Sequence, residues 1–253
     1  MPRQARVKSI TGIYHIMLRG IDKRNIFLDS EDKLKFLENV KKAKEKGNFE
    51  VLGYCLMDNH IHMLIKEDEE IAISIKRITV GYVGWHNKKY DRTGHLFQNR
   101  YLSEPVNTEG YLLNVLRYIH QNPVKANICK TAKDYRWSSF GDYYLFYTEQ
   151  ETIIDGTLIS SYFKFFDEFS KYMNVANDDV CLEIENLKFH NDEILTKIIC
   201  NKNGVINLVE LPANKKKEII RNTYRTENTS IRQLGRIFGV GKTMAENAIK
   251  KDR

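Results

Sequence analysis

Two strand-like segments joined by a two-residue turn constrain the fold of this chain most. Residues 49–57 and 60–66 are rich in the apolar, aromatic and β-branched residues that favour strands. Asp58 and Asn59 lie between them, and both residue types favour tight turns because they tolerate left-handed backbone. The pattern predicts an antiparallel β-hairpin whose register is set by its short loop.

The segments around the hairpin complete an alternating order. They predict a strand, a helix, a second helix, an extended segment and a third helix at residues 11–19, 30–46, 69–89, 95–106 and 109–122. Ser30 is the expected cap of the first helix, and the third is expected to end at Pro123 or soon after it. The order is β-α-β-β-α-β-α. Its first six elements predict an α+β fold, a ferredoxin-like antiparallel sheet with helices on one face.

Beyond these elements the sequence predicts an aromatic tail, a connector and a helical end. Residues 131–150 are rich in Tyr, Trp and Phe, which favours packing against the sheet, with base stacking as the alternative. Residues 157–173 predict one amphipathic helix, and residues 174–179 have the composition of a linker. Residues 192–200 and 213–224 predict two short helices.

The end of the chain has a helix-turn-helix pattern. Residues 230–238 and 242–250 predict two helices separated by a glycine-containing turn. The second helix would carry outward the residue types that contact phosphates and base edges, namely Lys242, Thr243, Glu246, Asn247 and Lys250. The pattern favours DNA binding, and a plain helical hairpin is the alternative.

The charge of the chain is equally compatible with a nucleic-acid partner and with a basic protein that has none. The net charge of +7 lies mainly in residues 1–150 and 191–253, on either side of an acidic stretch at 151–190. A soluble protein with solvated lysines would have the same balance. The four cysteines form no CxxC pair, which argues against a zinc cluster or a disulfide framework. No apolar run approaches the ~20 residues of a membrane helix, and the first residues lack a signal peptide, so we expect a cytoplasmic protein.

His60 and His62 are the first candidate functional residues. On a strand, residues i and i+2 lie on the same face about 6.6 Å apart, so both imidazoles can contact one metal ion. An HxH pattern alone is also found in strands whose histidines only form hydrogen bonds, and without further evidence that is the simpler interpretation.

Tyr118 and Asn122 are the second candidate pair. On a helix, residues i and i+4 lie on one face, which places a phenol beside an amide. Taken alone, the pair is equally well explained as a half-buried Tyr and a C-terminal Asn. Together with the histidines it suggests a mechanism. A metal held by His60, His62 and Asn122 would polarise a phosphodiester, and Tyr118 would attack the phosphorus to form a covalent intermediate.

Four motifs then carry a family resemblance, and they occur in the order LGYCLMDNHIHMLI, GHLFQNRYLSEPV, YLLNVLRYIHQNPVKA and YRWSSFGDYY. The chain resembles the single-tyrosine HUH transposases, and most of all their REP-associated tyrosine transposase branch. The resemblance is strong over about residues 10–145. It implies an HUH catalytic domain at 1–150, a helical acidic connector at 151–190 and a helix-turn-helix DNA-binding region at 191–253.

The resemblance also implies the chemistry. His60-Ile61-His62 matches the HUH motif, Tyr118 the nucleophile and Asn122 the third, amide-type metal ligand. The implied substrate is single-stranded DNA beside an imperfect hairpin, cleaved to leave a 5′-phosphotyrosine and a free 3′-hydroxyl that can be rejoined. The implied metal is Mg²⁺ or Mn²⁺. Asp58 departs from the family, which often has Pro there, and Asn99 stands where Gly is frequent.

Further expectations concern DNA and rival activities. The candidate DNA contacts are Arg19, Lys23, Arg24, Arg100, Arg117, Lys125, Lys242, Thr243 and Asn247. His95 and Gln98 could contact DNA or brace the sheet, and Tyr111 is a weaker rival nucleophile. A DNA-binding regulator without turnover and a metal-dependent phosphohydrolase that uses water remain alternatives. A monomer is favoured over a dimer.

Overall fold

A computed structural model describes residues 6–176, 181–182, 192–227 and 229–249 of the chain. The chain divides into two compact units. The first comprises Ala5–Leu182, and the second Glu183–Arg253 together with Met1–Gln4. Within the described residues, no helix is long and apolar enough to cross a membrane.

A four-stranded antiparallel sheet organises the first unit. Its strands are β1 (Ile13–Arg19), β2 (Glu50–Met57), β3 (His60–Lys66) and β4 (Leu102–Pro105). They lie in the order β2-β3-β1-β4, and every neighbouring pair is antiparallel. This is the strand order of a ferredoxin-like sheet, so the predicted fold class is confirmed. The predicted hairpin is the β2–β3 pair, closed by Asp58 and Asn59.

Helices pack on both faces of this sheet. The long helices of the first unit are α1 (Ser30–Gly47), α2 (Ile71–Lys89) and α3 (Glu109–Lys125). α1 packs against α2 through an edge-to-face contact of Phe36 and Tyr82, and α2 lies beside Leu18 of β1. α3 instead covers the opposite face, where Leu116 lies against Gly53 of β2. The expectation of helices on one face concerned the first six elements and is confirmed for α1 and α2, whereas the seventh element, α3, covers the other face. In the chain, α3 comes after the six elements of the ferredoxin-like fold, and it covers the face of the sheet that α1 and α2 do not cover.

The start of α1 differs from the sequence prediction. Asp29, not Ser30, is the cap, because its carboxylate accepts from the Asp32 N–H at 3.0 Å while the Asp32 carboxylate accepts from the Asp29 N–H. Ser30 is the first helical residue. An aspartate followed three residues later by another acceptor satisfies two unpaired backbone donors at once, which a lone serine cannot do.

β4 is shorter than the predicted extended segment at 95–106. Phe97 forms only an isolated bridge with Gly20, and the Gln98 N–H donates to the Arg19 carbonyl at 2.7 Å. Asn99 then has φ 57°, a left-handed conformation that interrupts the strand and that Asn tolerates as Gly does.

The aromatic tail pairs with the sheet as predicted. It contains α4 (Phe140–Tyr147). The hydroxyls of Tyr135 and Tyr143 donate to the carbonyls of Leu56 and Leu52 on the edge strand β2, at 2.8 and 2.6 Å. These bonds and the burial of Tyr143 indicate a packing role for the tail.

Residues 157–173 form two helices, so the prediction of one continuous helix is wrong. These are α5 (Thr157–Ser160) and α6 (Phe166–Met173). Between them the Phe163 carbonyl accepts from the Tyr147 hydroxyl at 2.6 Å, and Glu168 accepts from the Lys164 N–H at 2.8 Å. These bonds satisfy backbone groups that a continuous helix would pair internally. The predicted linker at 174–179 lies partly outside the described residues.

The second unit is helical. Its helices are α7 (Asp192–Asn203), α8 (Ala213–Thr226), α9 (Ile231–Phe238) and α10 (Lys242–Ile249). Ser230 caps α9 by accepting from the Gln233 N–H, and Gly239 ends it with φ 61°. Leu234, Phe238 and Ala248 belong to a separate apolar core. The predicted helix-turn-helix pair is thus present as α9 and α10, and the last predicted residue of its second helix, Lys250, lies outside the described residues.

Candidate active site

The strand β3 places its two histidines on one face of the sheet. His62 is opposite Met17 of β1 and His60 is opposite Arg19, and their ring centroids are 5.1 Å apart. His62 is 1% exposed, whereas His60 is half-buried at the end of the strand. We call this side of the sheet the histidine face. Lys33 pairs with Asp58 at 2.7 Å, and this ion pair tethers the turn that precedes His60.

Asn59 fixes the orientation of His60. The Asn59 side-chain oxygen lies 2.6 Å from His60 Nδ1. An amide oxygen only accepts hydrogen bonds, so His60 donates through Nδ1 in this contact. A histidine that donates through Nδ1 can bind a metal through Nε2.

A third histidine that sequence analysis did not single out joins this face. His15 of β1 is fully buried, and its Nε2 lies 2.9 Å from Nδ1 of His62. Burial lowers the pKa of His15 to about 3. Burial, together with the neighbouring His15 and His60, holds the pKa of His62 well below its usual value. Both rings are therefore neutral near pH 7. Strand alternation in the sequence places His15 on the same face of β1 as Met17. It does not show which residues of β3 lie opposite β1, so it could not have placed His15 next to His62.

α3 brings Tyr118 to the same place. The Tyr118 ring is 5.5 Å from the His62 ring and 5.9 Å from the His15 ring, both edge-on. The close approach of α3 depends on Gly53, because a Cβ there would lie 2.5 Å from Cδ1 of Leu116. Tyr118 is only 1% exposed. The structure therefore joins His60, His62 and Tyr118, as predicted from the sequence, into one cluster.

Asn122 lies one turn further along α3 and is half-buried. Its side-chain N–H₂ donates to the Tyr118 carbonyl at 2.9 Å, which leaves its oxygen as the potential ligand. Among the described residues no three His, Cys, Asp or Glu side chains converge as a metal site. A metal at the histidine pair would therefore need a ligand of another type, and the Asn122 amide is suited to it. Its role as third ligand stays a prediction.

The rival residues have other contacts. Burial and a hydrogen bond to Glu104 raise the pKa of Tyr111. His120 is fully buried, lies 2.8 Å from Ser139 and has its pKa lowered to about 3 by burial. Neither residue stands beside His62 in a ring contact as Tyr118 does.

The candidate DNA contacts of the first unit fall into two groups. The first group lies at the end of β1, where Arg19 is opposite His60 and is followed in the chain by Lys23 and Arg24. The buried Nε of Arg19 has no hydrogen-bond partner within the described part of the chain. Lys125 is exposed, with Nζ 4.9 Å from the centre of the Tyr118 ring.

The other two cations lie elsewhere. Arg100 is exposed and lines a cavity of about 310 Å³ that also involves Phe97 and Tyr101. Arg117 stacks its guanidinium 4.7 Å from the centre of the Tyr172 ring. In the second unit Lys242, Thr243 and Asn247 are exposed on α10, and Lys242 pairs with Glu246 at 3.3 Å. Their contacts with DNA remain predictions.

A histidine pair on a hairpin strand faces a helical tyrosine over a ferredoxin-like sheet, which is the arrangement that the resemblance to single-tyrosine HUH transposases predicts. Residues 8–122 match the family model described as "Transposase IS200 like". This match lies within the first unit, which is therefore similar to IS200-like transposases over that stretch.

Individual proteins are also similar to the chain. A Haemophilus influenzae protein described as a REP-associated tyrosine transposase is 28% identical over 118 residues, which are 42% of this chain and 66% of that protein. A solved structure of a REP-associated tyrosine transposase bound to a REP hairpin overlaps with a TM-score of 0.51 and 15% identity, over 72% of this chain and 96% of the other. The second likeness concerns the fold.

Proposed function

We propose that this chain is a metal-dependent endonuclease and strand transferase that acts on single-stranded DNA beside a hairpin. The observation that carries the proposal is the position of Tyr118, whose ring meets the His62 ring at 5.5 Å. A structural tyrosine needs no such neighbour, whereas a nucleophile has to stand beside the group that activates the phosphodiester. The family and the hairpin-bound relative support the same class of substrate.

The donor set fits a divalent metal. His60 and His62 each use Nδ1 for contacts within the protein, and the Asn122 oxygen would complete the set. These three ligands carry no charge, so the phosphodiester itself would supply the negative charge. Imidazole nitrogens suit Mn²⁺ better than Mg²⁺, and we expect activity with either. The bound ion would act as a Lewis acid on a non-bridging phosphate oxygen.

Tyr118 would carry the covalent step. Its phenolic oxygen forms a bond to phosphorus while the bond from phosphorus to the 3′-oxygen breaks. The phenolic proton is released, and the departing 3′-oxygen takes up a proton. Attack by a 3′-hydroxyl on the phosphotyrosine reverses these changes and joins two strands. The reverse step is accessible because a phenol, with a pKa of ~10, is a far better leaving group than an alkoxide.

DNA binding has to uncover the nucleophile, because Tyr118 is 1% exposed. Lys125 is the exposed cation over its ring, and Arg19, Lys23 and Arg24 lie at the end of β1 beside His60. A strand held by these cations would place its phosphate between the histidines and Tyr118. The exposed side chains of α10 would hold duplex or hairpin DNA.

Covalent trapping tests the proposal. Labelled single-stranded hairpin oligonucleotides from the flanks of the gene are incubated with the protein and Mg²⁺ or Mn²⁺, then separated on a denaturing gel. We expect an adduct that is lost in Tyr118→Phe and with a chelator, and that persists in the matched control Tyr111→Phe. Cleavage that survives Tyr118→Phe would mean that water or another residue is the nucleophile. Binding without cleavage in the native protein would favour the regulator.

A further inference from the structure

A cavity lies between α2 and the loop that leads into β4, and we call it the α2 cavity. Its volume is about 310 Å³, at the lower end of the ~300–1,000 Å³ range of small-molecule sites. Leu18 and Ile75 are buried and supply apolar lining, and Ala72 adds a small side chain from α2. The space therefore suits a single ring system better than a helix or strand of a partner.

Aromatic rings and a guanidinium also line the α2 cavity. Phe97 is half-buried, and the Arg6 guanidinium lies 3.7 Å from the centre of the Tyr101 ring. Aromatic rings and guanidinium planes are the groups on which proteins stack unpaired bases. Arg6 also donates to the Tyr101 carbonyl at 3.3 Å. An entering base would therefore meet a stacking surface that is already held in place.

The Tyr101 hydroxyl gives this lining an unpaired polar group. It is buried and has no hydrogen-bond partner among the described residues. Burial raises the pKa of Tyr101 although Arg6 opposes the shift, so the hydroxyl stays protonated near pH 7 and can donate. A buried donor without an acceptor costs free energy, and an oxygen or ring nitrogen at the edge of a base would supply that acceptor.

The charge at the α2 cavity suits a phosphate backbone. Arg6, Lys76 and Arg100 line it, whereas no acidic side chain of the described residues does. Lys76 and Arg100 are exposed and form no ion pair within the described part of the chain. Glu70 is close enough to influence the pKa of Tyr101 but does not line the cavity. Unpaired cations around an aromatic lining match a nucleotide, which joins a planar base to an anionic phosphate.

The α2 cavity is joined to the candidate active site through the end of β1. The Gln98 N–H donates to the Arg19 carbonyl, and Arg19 is opposite His60 on β3. Neighbouring strands lie about 4.8 Å apart, so two strand spacings separate the backbone of Gln98 from that of His60. The cavity lies on the α2 face of the sheet and the histidines on the other. A DNA strand that reaches both sites therefore has to pass around the edge formed by residues 97–101.

We propose that the α2 cavity binds one unpaired nucleotide of the DNA strand whose phosphodiester lies at the histidine face. Its base would pack against Phe97 and the stacked pair of Arg6 and Tyr101. Its phosphate would lie at Lys76 and Arg100. The proposal rests on the proposed function for its single-stranded substrate. It adds a site that holds a base away from the cleaved bond and so gives the protein a sequence preference beside the hairpin.

The first test scans the unpaired nucleotides for the one whose base is held. Binding is measured in Tyr118→Phe, so that no covalent step contributes, with hairpin oligonucleotides in which each unpaired nucleotide in turn is made abasic. We expect one position at which loss of the base weakens binding about 5–100-fold, the range for one stacked base. Equal binding at every abasic position would overturn the proposal.

Filling the cavity identifies where that base binds. Ala72→Leu, added to Tyr118→Phe, should weaken binding of the complete oligonucleotide by a similar factor and remove the abasic effect, because the two changes act on one contact. Gly84→Leu is the matched control, since it adds the same side chain to α2 where no atom lies within 4 Å of the new Cβ. It should leave both measurements unchanged. Abasic losses that simply add to the effect of Ala72→Leu would contradict the proposal.

Photocrosslinking in the native protein needs no cavity variant, so it also decides the question if Ala72→Leu does not fold. A 5-iodouracil base replaces each unpaired base in turn, and the crosslinked peptide is identified by mass spectrometry. We expect Phe97 or Tyr101 to crosslink at the position found by the abasic scan. Crosslinks that all lie outside the α2 cavity would show that the base is held elsewhere.

The outcomes separate this proposal from the proposed function. If the native protein forms the Tyr118 adduct but shows neither the abasic effect nor the crosslink, the nucleotide site is wrong and the proposed function stands. If both signals appear and no adduct forms, the site is supported and the strand-transfer function fails. If a free deoxynucleoside monophosphate binds the native protein and not Ala72→Leu, without any abasic effect, the cavity takes a free nucleotide and the proposal is wrong.

Discussion

At the scale of single residues, Lys125 is an exposed cation beside the buried candidate nucleophile Tyr118. Tyr118 is almost fully buried, yet the ammonium group that lies over its ring belongs to an exposed side chain. An incoming phosphate would meet this cation first. We therefore expect Lys125 to assist DNA entry and to offset the negative charge that gathers beside Tyr118 during the proposed attack.

Lys125→Gln should slow adduct formation about 2–5-fold, because an exposed charge pair, here between the ammonium and the negative charge that develops during attack, contributes up to ~1 kcal/mol. The rate is measured at saturating oligonucleotide, so that weaker binding does not contribute. Lys130→Gln, which changes another exposed lysine just beyond α3, is the control and should leave the rate unchanged. An equal loss in both variants would point to general charge instead of this contact.

His86 gives a residue-scale prediction about pH. It is fully buried between Tyr82 and Tyr90, and both ring nitrogens lack a hydrogen-bond partner in the described structure. Burial is the largest cause of its lowered pKa, and Arg92 and Lys89 lower it further, while Asp32 opposes the shift. Below pH 6.5 the unfolded chain therefore binds a proton that the folded chain resists, and stability is lost as the pH falls.

His86→Phe should flatten this dependence between pH 7 and pH 5. The difference from the native protein is at most about 1.4 kcal/mol of unfolding free energy per pH unit, the value for one proton. Urea unfolding at several pH values measures it. A variant that loses stability with falling pH as steeply as the native protein would show that His86 does not contribute to the acid sensitivity.

At the scale of elements, the start of α1 distinguishes two neighbouring candidates for the cap. Asp29 caps the helix and also pairs with Lys89 of α2 at 2.7 Å, so one side chain stabilises a helix end and joins two helices. Ser30, the cap expected from the sequence, makes no capping bond.

Asp29→Ala should lower the free energy of unfolding by about 1–2 kcal/mol, as loss of a helix cap typically does. Ser30→Ala is the matched control and should change stability by less than about 0.5 kcal/mol. Thermal and urea unfolding compare the two variants. The reverse order of stability would mean that Ser30 is the cap in solution.

At the scale of the whole molecule, we expect the two units to have separate functions. The candidate chemistry lies in the first unit, and the second has its own core and the exposed polar residues of α10. We therefore expect the second unit to add affinity for hairpin DNA without taking part in the covalent step.

Substituting Lys242, Thr243 and Asn247 together by Ala should weaken hairpin binding and reduce the salt dependence of log K by about 1, because one phosphate-binding cation is lost. The maximal rate of adduct formation should not change. Lys197→Ala, which alters an exposed lysine of α7, is the control for net charge. A lower maximal rate in the triple variant would place α10 in the covalent step.

The part of the fold that could be predicted follows from local geometry. Strand alternation, the Asp58–Asn59 turn and helical periodicity gave the order of elements. The same local rules failed where a distant group competed for the backbone. The Tyr147 hydroxyl binds the Phe163 carbonyl inside the predicted long helix, and the isolated bridge of Phe97 to Gly20 replaces a long β4. Neither partner can be found by periodicity.

Which side chains can share a face follows from the amino-acid sequence alone. His60 and His62 are two residues apart on a strand, Tyr118 and Asn122 four apart on a helix, and backbone periodicity fixes both relations. That the two pairs come together depends on how the elements pack. The same packing also places His15, 47 positions from His62 in the chain, 2.9 Å from its ring. Those contacts depend on strand order, register and the face that α3 covers, which arise from the packing of the whole unit.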